Sequence, residues 1–411
     1  MMAAAIPDDS LLRRIQALQN VDKAAAEALL IGFITETFPA LDPLAVDLRP
    51  SAVSLNSFNG YLTLRDGVRL FFKTHVEPDS VIGEYYNATL MAEAGYPVIR
   101  PRYASTEYGK QFLIYDLIES PSVFDLARQI EIGTAPPGSL ESLSAAQHTA
   151  DDQLCQIYSS TLTDQDADTA ARAPIHQLFS HRLSGGRYQA FYGSGDNLVR
   201  RSLHKRWIIN GRRYQSTLAE LLARQSLIAP ARRGPAVIGH GDAHNGNVFF
   251  MADRLVYFDP AFAGRHDPLL DLTKPLFHNV FASWLYHPVD HPQAQTVRIR
   301  QESDTITLDY DETLPAVRHL FFDSKIQRVL APLILTLRQR GELSRDWRAA
   351  LKLALLCCPL LTMNLADGAR FPEQTAWLGL GYALQMGSES EPDGGNRSML
   401  DQSLDAIEAE R

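Results

Sequence analysis

Cysteine is scarce in this chain: three residues among 411, namely Cys155 and the adjacent Cys357 and Cys358 in an apolar ALLCCPLL stretch. An odd, sparse set without CxxC spacing offers neither a disulfide framework nor a thiolate zinc site. Buried free thiols in a reducing cytosol are the expectation. Long apolar runs are missing too. No stretch of about 18 apolar residues occurs, so no membrane-spanning helix is expected. The first residues, MMAAAIPDDSLLRR, carry acids early and lack the apolar segment of a secretory leader. Nor is there a basic excess. Lys and Arg number 39 against 48 Asp and Glu, a formal net charge of -9, which argues against nucleic acid or a membrane as the main partner. A cytoplasmic protein follows from these absences. Its 45% of hydrophobic residues suffice for a sizeable core, and its length for two or three compact units.

What the chain does have is concentrated in His240 to Asp259, HGDAHNGNVFFMADRLVYFD. Asp242 and Asn247 lie just before an apolar run, Val248 to Met251. A short turn, Ala252-Asp253-Arg254, leads to a second run, Leu255 to Phe258, which ends in Asp259. Two short runs about a tight turn read as a β-hairpin, which would return Asp259 to the side of Asn247. Phosphoryl transfer from a nucleoside triphosphate needs such a set: a carboxylate to accept the hydroxyl proton, and an Asn and an Asp to hold Mg²⁺. Protein kinases carry the three in this order. Asp242 is the candidate catalytic residue, and Asn247 and Asp259 are the candidate metal ligands, both offering the hard oxygens that Mg²⁺ prefers. His240 and His244 straddle a Gly-Asp turn rather than one helix face, so they read as structural and not as zinc ligands.

Upstream, Asp9 to Phe38 reads as a helical preface ended by Pro39 and Pro43. From about Val53 the texture alternates. Tyr61 to Leu64 and Val68 to Lys73 read as an antiparallel pair joined by Arg65-Asp66-Gly67. The polar stretch Ser54 to Gly60, with Ser57 and Gly60 as candidates, could lie over a nucleotide's phosphates, although it contains no GxGxxG. Lys73 ends the RLFFK strand, where it could reach the α/β-phosphates. Glu84, on a helix spanning Val81 to Ala94, could pair with it; Glu93 is a rival nearer the helix end. QFLIYDLI is an apolar strand leading to a turn, where Tyr115 to Ile118, with Tyr115 and Leu117 as candidates, would offer backbone groups to a purine. From Val123 to Ile228 the chain is mostly helical, and its basic run from Arg182 to Arg213 reads as a solvated face. WIINGRRY is a hairpin with Asn210-Gly211 at its tip. Asp267-Pro268 can start a helix bearing Asp271, whose carboxylate could anchor the catalytic loop. Thr305 to Leu308 reads as a strand and Leu314 to Met386 as largely helical.

HGDAHNGNVFF followed by LVYFDPAFAGRHDPLLDL resembles the aminoglycoside phosphotransferase and choline kinase-like superfamily. The HGDxHxxN motif of that family is matched at His240, Gly241, Asp242, His244 and Asn247, its metal-binding Asp at Asp259, and its later helix acids at Asp267 and Asp271. The DPAFAGR wording is also similar to fructosamine kinases. The resemblance implies an α+β, two-lobed protein kinase-like fold, with a small antiparallel-sheet N-lobe and a larger, mainly helical C-lobe. It further implies Mg²⁺- and ATP- (or GTP-) dependent phosphorylation of a hydroxyl on a small-molecule acceptor. The expected layout is a helical extension over residues 1–50, a nucleotide-binding lobe over 51–118, a catalytic and substrate-binding lobe over 119–387, and a disordered tail over 388–411 that could include a short terminal helix from Met399. Phosphorylation of a glycated amine is one alternative function. A non-catalytic nucleotide-binding protein on the same scaffold is another, and a metal-assisted hydrolase would need a denser set of ligands.

Overall fold

In the computed structural model the described residues are 11–49, 57–75, 80–107, 109–230, 232–392 and 396–410. The chain divides into two compact units, Met1–Ser120 with Tyr257–Ala261, and Pro121–Val256 with Phe262–Arg411. The expected fold class is borne out: an antiparallel sheet in the first unit, and mainly helices in the second.

The first unit begins with helices α1 (Leu11–Leu18) and α2 (Lys23–Thr37). Asp22 caps α2 by accepting from the Ala25 amide, and the helix stops short of Pro39. Strands β1 (Pro43–Leu48), β2 (Ser57–Leu64) and β3 (Arg69–His75) follow, then helix α3 (Ser80–Ala94), β4 (Tyr103–Ser105) and β5 (Phe112–Asp116). They form one antiparallel sheet in the order β1-β2-β3-β5-β4. The β2–β3 turn falls at Asp66-Gly67, where Gly67 takes φ +87° and the Asp66 carboxylate accepts from the Val68 amide.

The helices at the start of the described chain pack on the sheet. Leu30, Phe33 and Ile34 of α2 are buried in one core with Leu62, Phe72 and Phe112 of the sheet. The Phe33 and Phe112 rings lie 5.4 Å apart, and Phe72 stacks on Phe112 at 5.2 Å. Each such ring contributes about 1.5–3 kcal/mol by leaving water, so α2 and the sheet fold as one body.

The second unit carries helices α4 (Val123–Glu131) and α5 (Ser139–Thr161) and a sheet of β6 (Thr163–Gln165), β9 (Gly234–Gly239) and β12 (Gly264–His266), with β9 in the middle. A four-stranded sheet joins β7 (Arg206–Ile209), β8 (Arg212–Tyr214), β13 (Arg298–Gln301) and β14 (Thr305–Asp309), and β14 runs parallel to β7. Strands β10 (Val248–Met251) and β11 (Arg254–Tyr257) make the expected hairpin. Its turn is two residues rather than three: Ala252 and Asp253 both take positive φ, +47° and +59°, the mirror-image turn whose twist matches paired strands. The helices Trp347–Leu361 and Glu373–Gly387 are buried along nearly their whole length. All three cysteines are free, Cys357 and Cys358 buried.

The tail carries the short helix weighed for it from Met399: residues Met399–Ala409 are helical, capped by Ser398. Ser390 pairs with Tyr214 at the edge of β8. Among the described residues, no helix is long and apolar enough to cross a membrane.

Candidate active site

In the second unit, β9 ends at Gly239 and delivers the chain into the loop from His240 to Asn247. Glycine is required twice here. A Cβ on Gly239 would sit 2.5 Å from the Asp271 carboxyl carbon, and one on Gly241, which has φ +80°, would sit 2.4 Å from the Phe262 carbonyl oxygen. The loop is folded on its own hydrogen bonds. The Asp242 carbonyl accepts from the His244 amide at 2.8 Å and from Asn247 Nδ2 at 3.0 Å. The Asn247 amide donates to the His244 carbonyl, and His244 Nδ1 accepts from the Gly246 amide. Fully buried His240 accepts the Asp242 amide on Nδ1 at 3.3 Å.

The loop is also fastened from outside, by the helix Pro268–His278 and the residue after it. The Asp271 carboxylate accepts from the Gly241 amide at 2.5 Å and from Tyr158 Oη at 2.5 Å, and His266 Nε2 lies 3.1 Å away. Asn279 Oδ1 accepts from the Asn245 amide at 2.7 Å. Burial would raise the Asp271 carboxyl, but its bonds to His266, Tyr158 and Gly241 outweigh that and hold it at about 2. Asp267 caps the same helix through the Leu269 amide.

Asp242 itself is mostly buried. Its Oδ1 has no hydrogen-bond donor among the described residues. Lys274 Nζ stands 3.8 Å from that oxygen, and His244 Nε2 stands 4.0 Å from Oδ2. Burial works against its charge, yet the fields of Lys274, His244, His240 and Arg182 prevail and place its carboxyl below the ordinary range. An ionised carboxylate with a buried, undonated oxygen is an acceptor waiting for a proton-bearing group. Beside it, His278 faces Lys274 Nζ at 3.3 Å and Tyr286 Oη at 2.8 Å. Burial, with the positive charge of Lys274, keeps this imidazole neutral far below its usual protonation range.

In the first unit, Lys73 Nζ lies 2.6 Å from Asp259 Oδ1. Asp259 takes φ +55°, a left-handed backbone that a non-glycine residue adopts only where the surroundings enforce it. Here the Tyr257 amide donates to Pro97, the Ile99 amide donates to Tyr257, and Asn87 Nδ2 donates to the Pro260 carbonyl. The Phe258 ring is wedged between Phe71 and Tyr115.

The other candidates of this unit fare differently. Ser54 and the side chains of Ser57 and Glu84 lie outside the described residues, although Glu84 is on α3 as expected. Gly60 is not in a phosphate loop. It sits inside β2, paired with Leu48 and Phe72, and a Cβ there would meet the Asp47 carbonyl at 2.3 Å and the Phe72 ring at 2.8 Å. Its glycine therefore serves sheet packing. Tyr115 is a buried residue of β5, paired with Phe71, and Leu117 comes just after that strand.

The structure thus gathers Asp242, His244 and Asn247 in one unit and Lys73 with Asp259 in the other. Asn247 spends its amide nitrogen on the loop, so its Oδ1 is left as an acceptor. In the other unit, the Asp259 carboxylate likewise offers the hard oxygens that Mg²⁺ prefers. No group of three His, Cys, Asp or Glu able to hold a metal occurs among the described residues. Sequence reasoning missed Lys274, His278 and Arg182. The first two sit three and seven residues after Asp271 on one helix face, a spacing that could have exposed them. Arg182 was read into a solvated basic face.

The profile of the phosphotransferase enzyme family matches residues 61–309. The chain belongs to that family, and the resemblance carried by HGDAHNGN is borne out. Among curated proteins, no match is found. Similar solved structures include an aminoglycoside phosphotransferase in complex with ADP and hygromycin B, at 13% identity over 87% of this chain and 98% of that one, TM-score 0.47. An amicoumacin kinase in complex with AMP-PNP and Ca²⁺ aligns at 14% identity over 87% and 92%, TM-score 0.42. A choline kinase of Cryptosporidium parvum aligns at 10% identity over 87% and 94%, TM-score 0.42.

Proposed function

We propose that the protein transfers the γ-phosphoryl group of ATP (or GTP) to a hydroxyl of a small molecule. The observation that carries this is Asp242: an ionised, mostly buried carboxylate with one undonated oxygen, on a loop locked by Asp271 and Asn279. In this reading the acceptor hydroxyl donates to Asp242, whose carboxylate orients it and takes its proton as the new oxygen–phosphorus bond forms. The bond between the γ-phosphorus and the β-phosphate's bridging oxygen breaks, and the nucleoside diphosphate leaves with that oxygen. Asn247 and Asp259 would hold Mg²⁺, which supplies charge neutralisation at the phosphates. Lys73 would exchange its bond to Asp259 for the phosphates. Glu84, Ser57 and the backbone near Tyr115 and Leu117 would complete the nucleotide's surroundings, while His240, His244 and Asp271 keep the loop in shape.

Positioned acid–base groups are worth about 10²–10⁴ in rate. Asp242→Asn should therefore cut turnover by about that factor, with nucleotide affinity, read by calorimetry, kept within a few-fold. Release of nucleoside diphosphate across a panel of hydroxylated acceptors is the assay. Wild-type turnover in Asp242→Asn would remove Asp242 from the chemistry and sink the mechanism.

A further inference from the structure

The second unit holds a cavity of about 240 Å³ that the transfer reaction does not use. One wall is the start of the helix Pro268–His278: His266, Asp267, Leu269 and Leu270 all line it. Another is the start of the helix Trp347–Leu361, through Trp347, Ala350 and Leu351. The cavity is joined to the catalytic loop by contacts already described. His266 lines it, and His266 Nε2 lies 3.1 Å from the Asp271 carboxylate, which accepts from the Gly241 amide at 2.5 Å. Two hydrogen bonds therefore connect the cavity wall to the loop that carries Asp242.

The polar groups in these walls are short of donors. Asp267 is exposed to solvent, yet protein closes round it so that desolvation lifts its carboxyl above the ordinary range. One of its oxygens accepts from the Leu269 amide, and it has no salt-bridge partner among the described residues. His176, 6% exposed, also lines the cavity. Its Nε2 faces the Ala170 carbonyl at 3.0 Å and so carries the proton, which leaves Nδ1, buried without a partner, as a bare acceptor. Glu342 gives Oε1 to Arg340 at 3.0 Å, while its Oε2 is buried without a partner. The lining arginines are engaged elsewhere: Arg233 bonds Asp164 at 2.5 and 2.8 Å, and exposed Arg232 donates to the Leu227 carbonyl at 2.5 Å.

Acceptors without donors, set in largely apolar walls, suit a ligand that brings donors and positive charge on an apolar body. We propose that the cavity is a regulatory site for a small organic cation, an ammonium group on an apolar body, whose binding is coupled to the catalytic loop through His266 and Asp271. The ammonium group meets Asp267, and the apolar body lies against Leu270, Trp347 and Leu351. An apolar cavity of roughly 150 Å³ takes benzene, so this one has room for a phenylalkylamine. The site stands on the cavity itself; only its effect on turnover rests on the phosphotransferase reading.

The test uses phenethylamine, with phenylacetamide and phenylacetate as its neutral and anionic counterparts. None carries an aliphatic hydroxyl, so none can serve as the phosphoryl acceptor. In calorimetry on the full chain, the amine should bind about tenfold or more tightly than the amide, the margin of a charge-assisted hydrogen bond. Asp267→Asn keeps a good helix cap and should erase that margin. Ala350→Phe fills the cavity and should abolish binding of the amine. Saturating phenethylamine should slow amide hydrogen exchange across residues 240–247 by about fivefold or more. In His266→Leu the amine should still bind, and exchange in that loop should stay as it is without the amine. Melting of each free variant separates loss of binding from loss of fold.

No binding of phenethylamine, equal affinity for the amine and the amide, or binding that survives Ala350→Phe in a folded variant each overturns the proposal. Loop exchange untouched by bound phenethylamine overturns it as well. Slowed exchange with no phosphorylated product from any acceptor would uphold the coupled site while refuting phosphoryl transfer.

Discussion

Asp271 shows how one side chain fixes a loop it does not belong to. Its two carboxylate oxygens meet Gly241, Tyr158 and His266, and all three contacts favour the charged form. The folded carboxyl stands at about 2 against an ordinary 3.8. A depressed folded value contributes stability that is complete above the unfolded value and is lost as pH falls through the folded one, so the window is from about 4 down to 2. The shift is worth ~2 kcal/mol. Denaturant melts of wild type and Asp271→Asn at pH 6 and pH 3 check this. The variant should be less stable at pH 6, and the gap should narrow at pH 3; a constant gap would mean that the carboxylate charge has no part. Asp271 was legible because an acid one turn into a helix beginning Asp-Pro has few structural roles. Arg182 was not: nothing in a run of arginines marks the one whose Nε is buried.

At the scale of elements, the runs bounded by turn residues were legible. The β2–β3 and β7–β8 hairpins follow their Asp-Gly and Asn-Gly signals, and the β10–β11 hairpin follows its two apolar runs. Its turn was misjudged by one residue because Ala252 holds a positive φ that alanine rarely adopts. Gly60 was misplaced for the opposite reason. A glycine among Ser and Asn looks like a loop, but here it clears space for the Asp47 carbonyl and the Phe72 ring. Gly241 combines both demands, a φ of +80° and a Phe262 carbonyl 2.4 Å from where a Cβ would sit. Gly241→Ala should therefore destabilise by more than the ~1 kcal/mol of the backbone term alone, and turnover should fall further than stability does, because the loop shift moves Asp242. A melting temperature and kcat both close to wild type would show that the loop absorbs the methyl group.

At the scale of the whole chain, the membership of the units' ends is set by contacts that local sequence does not announce. Residues 257–261 belong with the first unit because Pro97, Ile99 and Asn87 hydrogen-bond them there, a set of partners no local pattern announces. Gly, Ser and acids dominate the tail, a composition typical of disorder, and that composition does not reveal the partners of those acids. Lys352, 1% exposed, is bonded to Asp401, which is fully buried and also accepts from the Ser390 amide at 2.8 Å. Arg348 joins Glu389, Asp405 and Glu408, and Arg397 joins Glu389 and Asp405. Burial opposes the Asp401 charge, but Lys352 and Ser390 more than compensate and hold its carboxyl below the usual range. Removing one partner leaves the other buried and uncompensated, so Asp401→Ala should cost about 3–5 kcal/mol. Replacing both, as Lys352→Met with Asp401→Leu, should recover most of that loss, since an apolar pair of similar volume needs no solvation. Denaturant midpoints of the two variants against wild type decide it. An Asp401→Ala protein as stable as wild type would mean that the helix Met399–Ala409 is held by its apolar face, through Leu400, Leu404 and Ile407, and that the ion network only decorates it.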